Sequence, residues 1–183
     1  MSKGKILVLS GPSGAGKGTV VNRILEMDDN VVLSISATTR AMREGEEEGV
    51  HYFYITQEEF LKKIENNELL EYNCYNQNYY GTLKSYVDSL LASGKNVLLE
   101  IDVNGAFQIK EKRPDAITVF LTAPSIEEIE RRLKKRNTET DDVISCRLEI
   151  AKAEIERAPE YDYVVCNEAV DTSAQRILEI LNK

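Results

Sequence analysis

Residues 11–19 read GPSGAGKGT and stand between an apolar run, Ile6-Leu7-Val8-Leu9, and a helical pattern at Val20, Val21, Ile24 and Leu25. A strand, a glycine-rich turn and a helix start in that order form a cradle for phosphate. Glycines let the turn curl until several backbone N–H groups point inward, and the helix dipole adds partial positive charge there. Lys17 then supplies a full charge to the outer phosphates of a nucleotide. The string G-x-x-x-x-G-K alone arises by chance in about one chain in twenty of this length, at ~7% usage per fixed residue. The flanking strand and helix patterns make the match specific, because a surface turn has no reason to join a buried-type strand to a helix.

The partners are narrowed by charge. The chain has 183 residues and a formal charge of −8, which disfavours a nucleic-acid polymer. Basic residues nonetheless cluster, at Arg40 with Arg43 and at Arg131, Arg132, Lys134, Lys135 and Arg136. Such patches on an acidic protein suit a small anionic ligand, although a solvated helix face accounts for part of the second cluster. No apolar run approaches the ~20 residues of a membrane span, so no membrane partner is expected. The opening MSKGKILVLSG is not expected to act as a signal peptide. Three cysteines, Cys74, Cys146 and Cys166, form no C-x-x-C pair, which points to a reducing cytoplasm. The single histidine, His51, makes a zinc site or a histidine-based triad a poor fit. A homodimer is compatible with the sequence but not dictated by it.

Short β-branched runs recur at 5–9, 31–35, 96–101, 117–121 and 163–166, with helical patterns at 17–27, 103–112, 125–136 and 171–181. This alternation predicts a P-loop three-layer α/β domain around a central, mainly parallel five-stranded sheet. Thr56 with Glu59, and Ser125 with Glu128, have the spacing of helix capping boxes. Two segments interrupt the alternation. Residues 37–82, rich in Thr, Arg and Tyr and with a helix near 57–66, are long enough for an inserted subdomain. Residues 134–147, charged and bridging two helices, suit a mobile lid. The core is then 1–36, 83–133 and 148–183.

Among phosphate-loop proteins, Asp102-Val103-Asn104-Gly105 fits the D-x-x-G signature of GTPases, but no N-K-x-D follows to read guanine. Lys17 is followed by Gly18 rather than the usual magnesium-binding Ser or Thr, with Thr19 one place late. That K-G-T form is familiar from small kinases of nucleoside monophosphates. Four stretches then resemble the guanylate kinase family in the family's order: SISATTRAMREGEEEGVHYFY (34–54), ELLEYNCYNQNYYGT (68–82), LLEIDVNGA (98–106) and RRLKKRNTETDDVISCRL (131–148). The resemblance implies the reaction ATP + GMP → ADP + GDP, with Mg2+ carried on the ATP phosphates and water and no residue as a direct metal ligand.

The resemblance also implies roles for individual residues. The loop Gly11-Pro12-Ser13-Gly14-Ala15-Gly16-Lys17-Gly18-Thr19 binds ATP. Arg40 and Arg43 match arginines that grip the monophosphate, and Tyr52 and Tyr80 match tyrosines that donate to it. Glu71 matches the glutamate that accepts from guanine N1–H and the 2-amino group, and Ser36 and Thr82 match hydroxyls that address O6, with Gly81 in the same segment. Asp102 matches an acidic residue beside the bound monophosphate that touches the base or organises magnesium-bound water. Arg132, Arg136 and Arg147 match arginines that close over the triphosphate and, with Lys17 and Arg40, serve the transfer.

The sequence departs from the family pattern at Met42, where a proline is common, and at Gln77 and Asn137, where glycine is usual. Taken singly, Tyr79 and Tyr80 also read as core aromatics and Glu71 as a solvated strand residue. The other readings of the whole chain are a kinase for another monophosphate, a guanylate-kinase-like module that binds peptides, and a GTPase switch.

Overall fold

In a computed structural model of the chain, residues 4–135 and 141–183 are described. They form β1 (Ile6–Ser10), α1 (Lys17–Met27), β2 (Val31–Leu33), β3 (Ala37–Thr38), β4 (Phe53–Tyr54), α2 (Gln57–Glu65), β5 (Leu69–Tyr75) and β6 (Asn78–Leu83). There follow α3 (Lys84–Ala92), β7 (Asn96–Glu100), α4 (Val103–Lys112), β8 (Ile117–Thr122), α5 (Ile126–Lys135), α6 (Asp141–Glu156), a single tight turn at Ala158–Glu160, β9 (Tyr163–Cys166) and α7 (Val170–Leu181).

The main sheet runs β2-β7-β1-β8-β9 with every neighbouring pair parallel, as the alternation predicts. β1 lies at its centre and all five of its residues are buried. Leu7 and Leu9 point to one face, where Val20, Val21 and Ile24 of α1 and Ala174 and Ile177 of α7 cover them. Ile6 and Val8 point to the other, against Val87 and Leu91 of α3 and Ala106 and Ile109 of α4. Burial on both faces is why the strand reads as an unbroken apolar run.

A second sheet, β4-β3-β6-β5, occupies residues 37–83. Phe60 of α2 is fully buried there with Ala37 and Leu69, and its ring stacks on Tyr79 at 5.2 Å. Tyr79 is therefore a core aromatic. Tyr80, one residue on, belongs to the opposite face of the strand.

Three local details differ from the sequence reading. Lys84–Ala92 is a helix that the periodic segments do not include. The Thr56–Glu59 capping box forms in full, whereas at Ser125 only half does. There the Glu128 N–H donates to the Ser125 hydroxyl at 3.2 Å, but the Glu128 carboxylate accepts from Arg131 and Arg132 instead of turning back to the cap. Finally, α6 begins at Asp141, inside the expected 134–147 lid, and its Ile144 is buried against Ile129 and Leu133 of α5.

The β5–β6 hairpin turns in two residues, Asn76 (φ 48°) and Gln77 (φ 64°), between the paired Tyr75 and Asn78. Such a turn requires positive φ at both positions, which an L side chain adopts at a cost of ~1–2 kcal/mol. Gln77→Gly is expected to raise folding stability by about 0.5–1 kcal/mol, the relief less the added entropy of the unfolded chain. Urea denaturation measures it; equal or lower stability would show that the turn carries no strain at this residue.

Candidate active site

β1 runs directly into the glycine-rich loop, and the loop into α1. Gly11 has φ 146°, and a Cβ there would strike the Leu121 carbonyl of β8, so only glycine lets the chain leave the sheet at this point. The loop is braced from behind. The Ala15 carbonyl accepts from the Asn167 amide at 2.8 Å and from Arg132 Nη1 at 3.1 Å, while Arg132 Nη2 donates to the Asn167 carbonyl at 3.0 Å. Arg132 thus backs the loop and does not line the cavity in front of it, whereas Arg131 and Lys134 pair with Glu128 and Glu130 on the outer helix face.

That cavity measures about 600 Å³ and is lined by Gly11, Ser13 and Lys17 from the loop and by Arg147 and Glu154 from α6. Lys17 Nζ donates to the carbonyls of Gly11 and Pro12, and Arg147 Nη1 lies 3.4 Å from the Ser13 hydroxyl. Pro12, Gly14 and Ala15 are buried in the loop's wall, while Gly18 and Thr19 are exposed on the first turn of α1. Burial raises the carboxyl pKa of both Glu100 and Glu154, and the Lys17 charge opposes the rise in each.

A second cavity of about 180 Å³ lies beside it, lined by Ser36, Glu71, Tyr80 and Gly81. Tyr52, Glu100, Ile101 and Asp102 line both spaces, so the two meet at the end of β7. Glu71 is 6% exposed and accepts a 2.7 Å hydrogen bond from the Thr82 hydroxyl. A bulge between Leu69 and Glu71 breaks the alternation of β5, so Leu70 enters the main core while the next side chain enters the cavity. Burial pushes the Glu71 carboxyl up to about 7; the Thr82 hydrogen bond opposes this and the Asp102 charge adds to it.

Asp102 has a structural duty as well. It caps α4, with Oδ1 accepting from the Gly105 N–H at 2.7 Å and Oδ2 from the Asn73 side-chain amide at 2.8 Å. A Cβ on Gly105 would stand 2.9 Å from Glu71 Oε2. The D-x-x-G string is therefore a helix cap plus a glycine that makes room for a buried carboxylate.

Beyond Tyr52, the guanidinium of Arg40 lies 5.4 Å from the Tyr52 ring centre and 5.9 Å from that of Tyr54. Its Nη1 and Nη2 donate to the two oxygens of Glu46 at 3.0 and 2.8 Å. The Arg43 side chain is exposed, while its backbone N–H donates to Glu46 at 2.8 Å. Arg136 and Asn137 lie outside the described residues.

The whole-chain comparison decides the family. The model of the guanylate kinase family matches residues 3–183. The chain belongs to the guanylate kinase family. Guanylate kinases of Lactococcus lactis and Halalkalibacterium halodurans are 49% and 47% identical to it, each over 98% of this chain and 87% and 88% of their own lengths. The crystal structure of guanylate kinase from Anaplasma phagocytophilum covers 99% of this chain and 86% of its own at 39% identity, with a TM-score of 0.75.

Within that family frame, two residues lining the cavities and one behind Arg40 escaped the sequence reading. Glu100 stands opposite Leu9 at the end of β7, and its position at a strand end beside the loop was the available signal. Glu154 reaches the cavity from α6, two helical turns beyond Arg147, and nothing in the local string marks it. Glu46 is one of three consecutive glutamates, 46–48, and only folding singles it out.

The raised Glu71 pKa makes its ionised form costly to the ligand-free fold. The native state holds this proton more tightly than the unfolded chain, so stability falls as pH rises from 4.5 through about 7. From the shift between those two values, wild type is expected to lose about 3 kcal/mol between pH 5 and pH 8 that Glu71→Gln keeps. Parallel urea titrations of the two proteins would expose the difference, and identical pH dependence would refute the assignment.

Proposed function

We propose that the chain transfers the γ-phosphoryl group of ATP to GMP, giving ADP and GDP. The observation that carries this reading is a buried carboxylate, Glu71 with its Thr82 partner, in a cavity contiguous with the phosphate loop. GMP would lie with its base at Glu71, Thr82, Ser36 and Asp102 and its phosphate toward Arg40, Arg43, Tyr52 and Tyr80. Residues 37–82 then serve as the GMP-binding subdomain and 134–147 as the lid.

Guanine offers Glu71 two donors, N1–H and the 2-amino group, and both favour the ionised form that burial disfavours. Adenine offers neither, and its N1 lone pair would face the carboxylate. A buried polar site left unpaired rejects an analogue by roughly 10⁴-fold.

Phosphoryl transfer needs positioning and charge stabilisation more than a dedicated base. Lys17 and the N–H groups of residues 14–19 hold the ATP β- and γ-phosphates, for which Lys17 exchanges its present carbonyl partners. Arg147, already at the loop, follows charge onto the equatorial oxygens, a contribution of ~3 kcal/mol per well-placed donor. Exclusion of water keeps the phosphoryl group for GMP.

The side chains fit a divalent cation that arrives on the nucleotide. Gly18 offers no hydroxyl beside Lys17, while Glu100, Asp102 and Glu154 line the cavity and can accept from the cation's water. Mg2+ so held would neutralise part of the phosphate charge. The chain works in the cytoplasm, where both substrates are found; among the described residues no helix is long and apolar enough to cross a membrane, and the cysteines are free.

A coupled assay of ATP with GMP, AMP, UMP, CMP and dTMP is expected to give turnover with GMP at least a hundredfold above the others. Comparable turnover with another monophosphate would displace this reading. Lys17→Ala should lose transfer by a factor of a hundred or more while GMP binding persists, and Glu71→Ala should lose GMP turnover with the KM for ATP nearly unchanged. A Lys17→Ala protein with normal kcat, or unaltered GMP kinetics in Glu71→Ala, would contradict the assigned roles.

A further inference from the structure

Arg40 does not stand open in its loop. Of its five N–H donors, both on Nη1 are taken, one by the Ala41 carbonyl at 2.8 Å and one by Glu46, and one on Nη2 goes to the other Glu46 oxygen. What remains is the Nε–H and the second Nη2–H, side by side on one edge of the planar group. Glu46 is itself held by more than Arg40, because its Oε2 also accepts from the Tyr54 hydroxyl at 2.8 Å and from the Arg43 N–H at 2.8 Å. The pair is sheltered, with side-chain exposures of 14% and 18%. These donors hold the Glu46 carboxyl down to about 2, so it is ionised throughout the physiological range. The Arg40 guanidinium lies 5.4 Å from the ring centre of Tyr52, which lines both cavities, and the Tyr80 hydroxyl raises its pKa further.

We infer that Glu46 is a positioning residue of the acceptor site: it locks the Nη1–Nη2 fork of Arg40 and so presents the Nε–Nη2 edge, beside Tyr80, to the phosphate of the bound monophosphate. The inference rests on the GMP reading above and adds a residue to it. A guanidinium edge matches two phosphate oxygens, and a fork already fixed by a carboxylate loses little further freedom on binding. Glu46 also cancels one of the two arginine charges, so Arg40, Arg43 and Glu46 together carry a net single positive charge. Two positive charges minus one give that figure, enough to draw an anion without a bare pair of cations repelling each other.

The test compares GMP with guanosine, which shares the base and sugar but lacks the phosphate. Calorimetry on the full chain, with guanosine measured by competition at millimolar concentration, is expected to show Glu46→Gln weakening GMP tenfold or more. Guanosine affinity and the KM for ATP should stay within twofold. Tyr54→Phe removes the hydroxyl that donates to Glu46 but keeps the Arg40–Glu46 pair and the ring beside Arg40; it should weaken GMP about threefold with guanosine again unmoved, and it serves if Glu46→Gln does not fold. GMP binding within twofold of wild type or tighter in both variants would overturn the inference, as would an equal loss for guanosine. Wild-type protein that binds neither ligand would bring down the GMP reading itself, and the role of Glu46 with it.

Discussion

The placement of β1 between β7 and β8, buried on both faces, is the constraint on which the rest depends. Parallel strands end together, so the glycine-rich loop that leaves β1 emerges at the same sheet edge as Glu100 and Asp102 at the end of β7. In open α/β sheets ligands bind at that edge. Two helices also start there, α1 after Gly16 and α4 after Asp102, whose carboxylate already takes the Gly105 N–H. The hydrophobic stabilisation of the strand, roughly 1.5–3 kcal/mol per buried aliphatic side chain, secures a geometry that the site uses but does not itself stabilise.

The site runs against the preferences of an ordinary fold. It buries a carboxylate in a cavity with one hydroxyl partner, and it keeps several acidic groups around a loop built for anions. Under the proposed reaction these charges would be matched by what a nucleotide brings: donors on the base for Glu71, phosphate charge for Lys17 and Arg147, and phosphate oxygens for Arg40. Packing preserves the mismatch until the ligand arrives. The bulge at Leu69–Glu71 and the glycine at 105 make room for the carboxylate without disturbing the core on either side.

Much of the fold was legible in the sequence because its signals are local. A strand buried on both faces writes an unbroken apolar run, as at 6–9, and an amphipathic helix writes a period, as at Val20, Val21 and Ile24. α3 escaped that reading, and the Glu128 half of the second capping box failed because two arginines on its own helix compete for the carboxylate. The positive φ of Gln77 is a conformation that glycine adopts more readily than glutamine does, which the string alone does not reveal.

The sequence by itself determined the class of fold, the phosphate loop and the family, since each is carried by residues adjacent in the chain or by motifs in order. Tertiary structure alone brought further carboxylates to the site beside Glu71 and Asp102. Glu46, Glu100 and Glu154 are unremarkable in the string, and only the fold shows that Asp102 also caps α4 at Gly105. The physical reason is that a charge takes its meaning from its neighbours and from its access to water. Both are set by contacts between segments far apart in the chain, as when Thr82 meets Glu71 or the Ala15 carbonyl meets Arg132 and Asn167.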